Sequence, residues 1–199
     1  MLINLEEHSE HYIYRLMSQT IIPRPIAWIV TQDDDIINIA PFSYFAPLAS
    51  VPPSVVVSIG HKDDGVPKDT LVNIRREKKC TICMIREDDV EKMHFSSKSL
   101  PKDDSEAEEF GIKTKEVLED FPPMVKGVPC AYFCTFNQEV DLGEDSTTIP
   151  IILNVERVYL EDEIVTKEDK HVIKFDPIGR IGKSYTKMGE TIIPPVIPE

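Results

Sequence analysis

The chain has 199 residues, 41% of them hydrophobic, with 35 acidic against 22 basic side chains and a formal net charge of -13. That length suits one domain burying about 70% of its unfolded surface, and no linker-like shift in composition divides it. The acidic balance argues against nucleic acid and anionic membranes as partners, because both are held through Lys and Arg, and no apolar run is long enough to span a bilayer.

In chain order, residues 9–19 read as a short helix with Ser9 as its N-cap, ended by Pro23 and Pro25. Strands are expected at 25–31, 36–40, 54–59, 79–85, 129–137 and 148–160, and helices at 69–78, 88–95 and 105–111. The first two strands are joined by the Asp33-Asp34-Asp35 turn, and the second breaks into a loop reaching Phe45. Several strands are continuously apolar, which implies cover on both faces. In the helix at 69–78, Leu71, Ile74 and Lys78 share one face, with Arg75, Arg76 and Glu77 outward. Lys98 to Glu109, rich in acids, reads as a surface insertion, and the proline-rich end from about 190 to 199 as an extended or disordered tail. The whole chain is thus expected to be one mainly β domain with peripheral helices.

Cys80 and Cys83 lie three apart on an expected strand, so they point to opposite faces and cannot hold one ion without a turn. Cys130 and Cys134 share a face with Tyr132 and Phe136, as small core residues do. All four read as buried free thiols, and no metal site is expected. His61, His94 and His171 show no metal-triad spacing and read as surface residues. No glycine-rich dinucleotide fingerprint follows a strand. The segment Met1 to His8 lacks a secretory pattern, so a soluble, cytoplasmic protein is expected.

Two segments suit a ligand. The stretch Asn38-Ile39-Ala40-Pro41-Phe42-Ser43-Tyr44-Phe45 combines one proline, one serine hydroxyl and three aromatic residues, which fits a flat ring system with a polar rim. Asn38 and Ser43 offer polar groups to that rim, and Pro41 brings the chain close without a competing donor. Downstream, Lys68-Asp69-Thr70 opens a helix whose free N–H groups and dipole favour an anion. The plainer reading of that start is Asp69 as an N-cap and Lys68 as a solvated lysine. Arg24, fixed between two prolines, projects its side chain freely, toward a ligand or a nearby carboxylate.

These segments resemble, in order and spacing, the flavin reductase-like family. The match takes in Pro23 to Thr31, Asn38 to Phe45, Val51-Pro52-Pro53, Ser54 to Gly60, Lys68-Asp69-Thr70 and Asp176-Pro177-Ile178-Gly179-Arg180, over roughly residues 23 to 185. The resemblance implies an FMN-binding split β-barrel of Greek-key type that forms homodimers. It implies flavin contacts from Arg24, Asn38, Ala40, Pro41, Phe42, Ser43, Tyr44, Ser58, Lys68, Asp69 and Thr70. Arg180 and Tyr185 would form an outer wall meeting a nicotinamide substrate. Hydride would come from NADH or NADPH, and a flavin-dependent monooxygenase or redox protein would take the electrons. Because the cofactor performs the redox step, no catalytic residue is named. Two other readings stand beside this one: an FMN electron carrier of flavoredoxin type serving a protein partner, and a flavin-free scaffold that keeps the barrel. The chain departs from the family pattern at Ala46, at Val51 and in the glycine-poor Gly182-Lys183-Ser184-Tyr185.

Overall fold

The computed structural model describes residues 1–144, 146–166 and 172–197. In chain order the elements are α1 (Glu10–Thr20), β1 (Arg24–Pro25), β2 (Ala27–Asp33), β3 (Ile36–Phe42), β4 (Phe45–Ser50), β5 (Pro53–Gly60), α2 (Asp69–Glu77), β6 (Lys79–Met84), α3 (Val90–Phe95), α4 (Glu106–Glu109), β7 (Thr114–Lys115), β8 (Met124–Val125), β9 (Cys130–Glu139), β10 (Thr148–Leu160), β11 (Ile178–Ile181) and β12 (Ser184–Lys187). His171 and the end of the proline-rich tail lie outside the described residues. Residues 190–197 carry no regular structure.

Seven strands form one sheet in the order β3-β2-β6-β9-β10-β5-β4; β1, β11 and β12 form a small second sheet. Alternation along β2 sends its side chains to two cores. Trp28 and Val30 join Ile39, Cys83, Met93 and Ile178 on one face, while Ala27 and Ile29 join Val57, Ile59, Leu71, Ile74, Ile82 and Leu153 on the other. Side chains of β2 and β5, well separated in the sheet order, meet in that second core, so the sheet curls around it. Helix α2 covers this core with Leu71 and Ile74, both fully buried. Trp28 is fully buried too, and its indole N–H donates to Ser96 Oγ at 2.9 Å. This bond ties α3 to the sheet and satisfies a polar group that would be costly to bury alone.

Ser9 caps α1 as expected, its hydroxyl accepting from Tyr12 N–H at 3.3 Å. Lys78, expected on the buried face of α2, instead takes the left-handed C-cap position with φ 60° and lays its ammonium over the Phe136 ring at 4.6 Å. Arg75 and Arg76 are outward, paired with Glu139 and with Asp33 and Glu77 respectively.

The expected loop at 38–45 is largely strand. β3 continues to Phe42 and β4 begins at Phe45, leaving Ser43 and Tyr44 as the corner. Pro41 is tolerated because β3 is the edge strand of its sheet, paired only with β2, so its missing N–H breaks no ladder. β4 is the other edge; its exposed, proline-containing sequence gave no periodic signal. Cys80 and Cys83 face different cores, and Cys80 stands opposite Cys134 across β6 and β9. Burial pushes the Cys83 thiol up to about 12, and Cys80 is raised by its contact with Cys134 and by burial, which suits inert core thiols. Among the described residues no helix is long and apolar enough to cross a membrane.

Candidate functional site

The corner between β3 and β4 organises a groove. Tyr44 is fixed there by its backbone, whose carbonyl accepts from Ser58 N–H at 2.8 Å, and by two neighbours of its ring. Tyr14 of α1 stacks at 6.2 Å between centroids, and the Arg24 guanidinium lies 5.7 Å from the ring centre. The Tyr44 hydroxyl is raised above its ordinary value, first by burial and then by Tyr14, against the pull of Arg24.

Three adjoining hollows surround this corner. A mostly apolar one of about 400 Å³ is lined by Arg24, Ser43, Tyr44 and Ser58 with Met17, Ile21 and Val56. A notch of about 160 Å³ is lined by Tyr14, Pro41, Phe42, Ser43, His94, Arg180 and Tyr185. The third, about 880 Å³, lies between α1 and the β11–β12 hairpin and shares Tyr14, His94 and Arg180 with the notch. The first and third have volumes in the range of small-molecule sites, and the notch is smaller.

Two glycines bring the hairpin to the groove. A Cβ on Gly179 would sit 2.8 Å from the Pro23 side chain, so only glycine lets β11 lie against β1, pairing Arg180 with Arg24 in register. Gly182, at φ 49°, makes the turn, and a side chain there would press on Gln19. The hairpin thus holds Arg180 with its guanidinium 4.7 Å from the Tyr185 ring centre. The Tyr185 hydroxyl meets His94 Nδ1 at 2.8 Å.

Two cations, buried Arg24 and half-buried Lys68, lie near the corner without carboxylate partners among the described residues. Arg24, expected to project freely, is only 6% exposed; its guanidinium turns back to donate to the carbonyls of Ser18 and Ile21 at the C-terminal end of α1. Its Nε and Nη2 are buried with no hydrogen-bond partner. Lys68 places its ammonium 5.6 Å from the Phe42 ring centre, and burial lowers its pKa against the pull of Asp63. It stands at the N-terminus of α2, where no side chain caps the free N–H groups. Burying cations is costly unless an anion compensates them, so the pair marks places where negative charge stabilises the fold.

Other expected contacts are engaged elsewhere. Asn38 and Thr70, expected to face the ligand, belong to a buried network inside the sheet. The Thr70 hydroxyl donates to Asn38 Oδ1 at 2.8 Å, Thr31 Oγ1 donates to the same oxygen, and Asn73 Nδ2 donates to Thr31. Asn38 Nδ2 donates to both oxygens of Glu106, whose carboxylate also accepts from Ile39 N–H at 2.9 Å. The stretch 98–109 lies mostly on the surface, as expected, but its Glu106 is 4% exposed and anchors it to β3. Asp69 does not cap α2; its carboxylate pairs with Lys62 at 2.8 Å. Ala40 packs against the second core. His94, read as an ordinary surface histidine, is exposed but lines the groove, as does Tyr14; no motif spacing in the sequence joins them to it.

Four similarities to known proteins bear on this site. A solved structure of nitrilotriacetate monooxygenase component B from Bacillus cereus superposes with a TM-score of 0.88 at 28% identity, covering 97% of this chain and 98% of that one. Flavoredoxin of Desulfovibrio vulgaris (Miyazaki F) superposes with a TM-score of 0.75 at 16% identity over 98% and 97% of the chains, a likeness of fold. An uncharacterized protein of Aquifex aeolicus is 29% identical over 181 residues, 87% of this chain and 88% of that protein. The fold is therefore the split β-barrel, with one large curled sheet and few helices. The family model for the flavin reductase like domain matches residues 17–173, which takes in the last turn of α1, the aromatic corner and α2: the chain belongs to the flavin reductase-like family.

Proposed function

We propose that the chain binds FMN in the groove around Ser43 and Tyr44 and acts as a reductase that takes hydride from NADH or NADPH. The carrying observation is the aromatic corner at Ser43 and Tyr44, which opens on the groove beside two cations without a carboxylate partner among the described residues, buried Arg24 at Tyr44 and half-buried Lys68 at Phe42. Lys68 and the free N–H groups at the start of α2 suit a single phosphate. Pro41, Phe42, Ser43 and Tyr44 supply apolar walls and a hydroxyl for a flat ring, and Ser58 adds a second hydroxyl on the apolar side. Arg24 lines the groove beside Tyr44 and adds a fixed positive charge there.

A bound flavin would supply hydride and electron transfer chemistry at its own ring. The chain's residues then bind, orient and shield. Tyr185 and Arg180 wall the outer side of the notch, where a nicotinamide would need close contact with the flavin. Exposed apolar side chains on α1 and near β4, among them Tyr14, Met17, Leu48 and Val51, support a homodimer as the working unit. The reading includes delivery of reduced flavin to a monooxygenase or other redox protein. The likeness to flavoredoxin favours a second reading, a tightly held flavin that passes electrons to a protein partner.

Steady-state oxidation of each nicotinamide, with and without added FMN, separates the two. Many turnovers per chain with excess FMN are expected. A single stoichiometric reduction would favour the carrier, and no reduction by either nicotinamide would remove the reductase reading.

A further inference from the structure

The largest of the three hollows carries a charge opposite to that of the protein. Its lining includes Arg15, Arg180 and Lys183 with His11 and His94, and no Asp or Glu among the described residues. In a chain with 35 acidic and 22 basic residues, that is a local inversion of charge. None of the three permanent cations forms an ion pair among the described residues. Such a pocket concentrates anions and discriminates by their charge.

The placement is built by the fold. His11 and Arg15 are four apart on α1 and share a face with Tyr14, while the Gly182 turn presents Lys183 across from them. Arg180 is held in place, its Nε donating to the Gly182 carbonyl at 2.9 Å. The hollow is about 880 Å³ and joins the small notch through Tyr14, His94 and Arg180. FMN has one phosphate, for which Lys68 and the start of α2 already provide, so it leaves these cations unused. The ligand that suits them is a longer one, with one end in the notch and several negative charges on the other.

We propose that this hollow receives the adenosine phosphate end of the nicotinamide dinucleotide, and that Arg15 and Lys183 select the 2′-phosphate of NADPH over the 2′-hydroxyl of NADH. This rests on the reductase reading for the identity of the dinucleotide, but recognition of the phosphates can be measured without any reduction. Both residues are exposed and free of internal bonds to side chains, so their loss leaves the core intact.

Calorimetric titration of the FMN-loaded protein with 2′,5′-ADP, and separately with 5′-ADP, tests it. The expected result is tighter binding of 2′,5′-ADP, reduced roughly ten- to a hundredfold in Arg15→Ala or Lys183→Ala, the range for losing a hydrogen bond to a charged group. FMN affinity in the same variants should stay within a small factor of the parent, which shows that the groove is intact. In steady state, NADPH should show a raised KM in the variants, with NADH far less affected. Equal binding of the two nucleotides, or a preference that survives both substitutions, overturns the assignment. So does FAD binding more tightly than FMN with the excess lost in the variants, because the hollow would then serve the flavin's own adenylate. A 2′,5′-ADP preference that depends on Arg15 and Lys183, in a protein that oxidises neither nicotinamide, upholds the phosphate site and removes only the reductase reading.

Discussion

Replacing Glu106 with Ala should be among the most destabilising single changes in this chain. It would strip the acceptor from Asn38 Nδ2 and Ile39 N–H, both inside the sheet. Each buried donor left unsatisfied costs about 1–3 kcal/mol, so a loss of roughly 2–4 kcal/mol is expected. In a chain of this size that lowers Tm by about 5–15 °C. Glu106→Gln keeps one acceptor and should cost less. The two variants also differ in pH dependence. Burial raises the Glu106 carboxyl above its ordinary value, outweighing the hydrogen bonds from Ile39 and Asn38. A folded pKa above the unfolded one means that the folded state keeps its proton longer. The contribution is therefore fully present below the unfolded value and is lost as pH rises through the folded one. Denaturant unfolding from about pH 4 to 7 should show this decline in the parent protein and not in Glu106→Gln. An unchanged Tm in Glu106→Ala would mean that the insertion does not depend on this carboxylate.

The second large effect concerns ligand affinity. Lys68→Ala should weaken FMN by roughly ten- to a hundredfold while leaving riboflavin, which lacks the phosphate, almost unaffected. The half-buried ammonium has no carboxylate partner among the described residues and burial disfavours its charge, so a phosphate beside it would offset that cost. Thr70→Ala provides the contrast. The Thr70 hydroxyl is spent on Asn38 inside the sheet, so its loss should lower stability and affect both flavins alike. Fluorescence titrations of the two ligands against the two variants check both statements. Equal losses for FMN and riboflavin in Lys68→Ala would move the phosphate elsewhere.

Much of the fold was legible because its signals are local. The apolar run of β10 and the Ser9 cap of α1 follow from residue order alone, and their boundaries agree with the structure to within a residue or two. Edge strands were harder. β4 is exposed along most of its length and contains Pro47, so neither alternation nor propensity marks it, and it exists because β5 pairs with it. The short β11–β12 hairpin is likewise visible only once Gly179 meets Pro23.

The site divides in the same way. Pro41, Phe42, Ser43 and Tyr44 announce an aromatic corner by composition, and that corner lines the groove. Asn38 and Thr70 were polar residues in the right segments, but which side a strand or helix residue faces is set by partners distant in sequence. Glu106, 68 positions from Asn38, turned one inward, and Asn38 engaged the other. His94 and Tyr14 reach the groove from helices that carry no motif, and only the packing of α1 and α3 around Arg180 gathers them.

The central claim is that the groove at the β3–β4 corner binds FMN. Titration of the apoprotein with FMN, followed by flavin fluorescence and absorbance, tests it most directly. The expected result is a quenched, shifted spectrum saturating at one FMN per chain at micromolar protein, with affinity reduced when Arg24 or Lys68 is replaced by Ala. An FMN spectrum identical to that of the free flavin at micromolar protein would contradict the account.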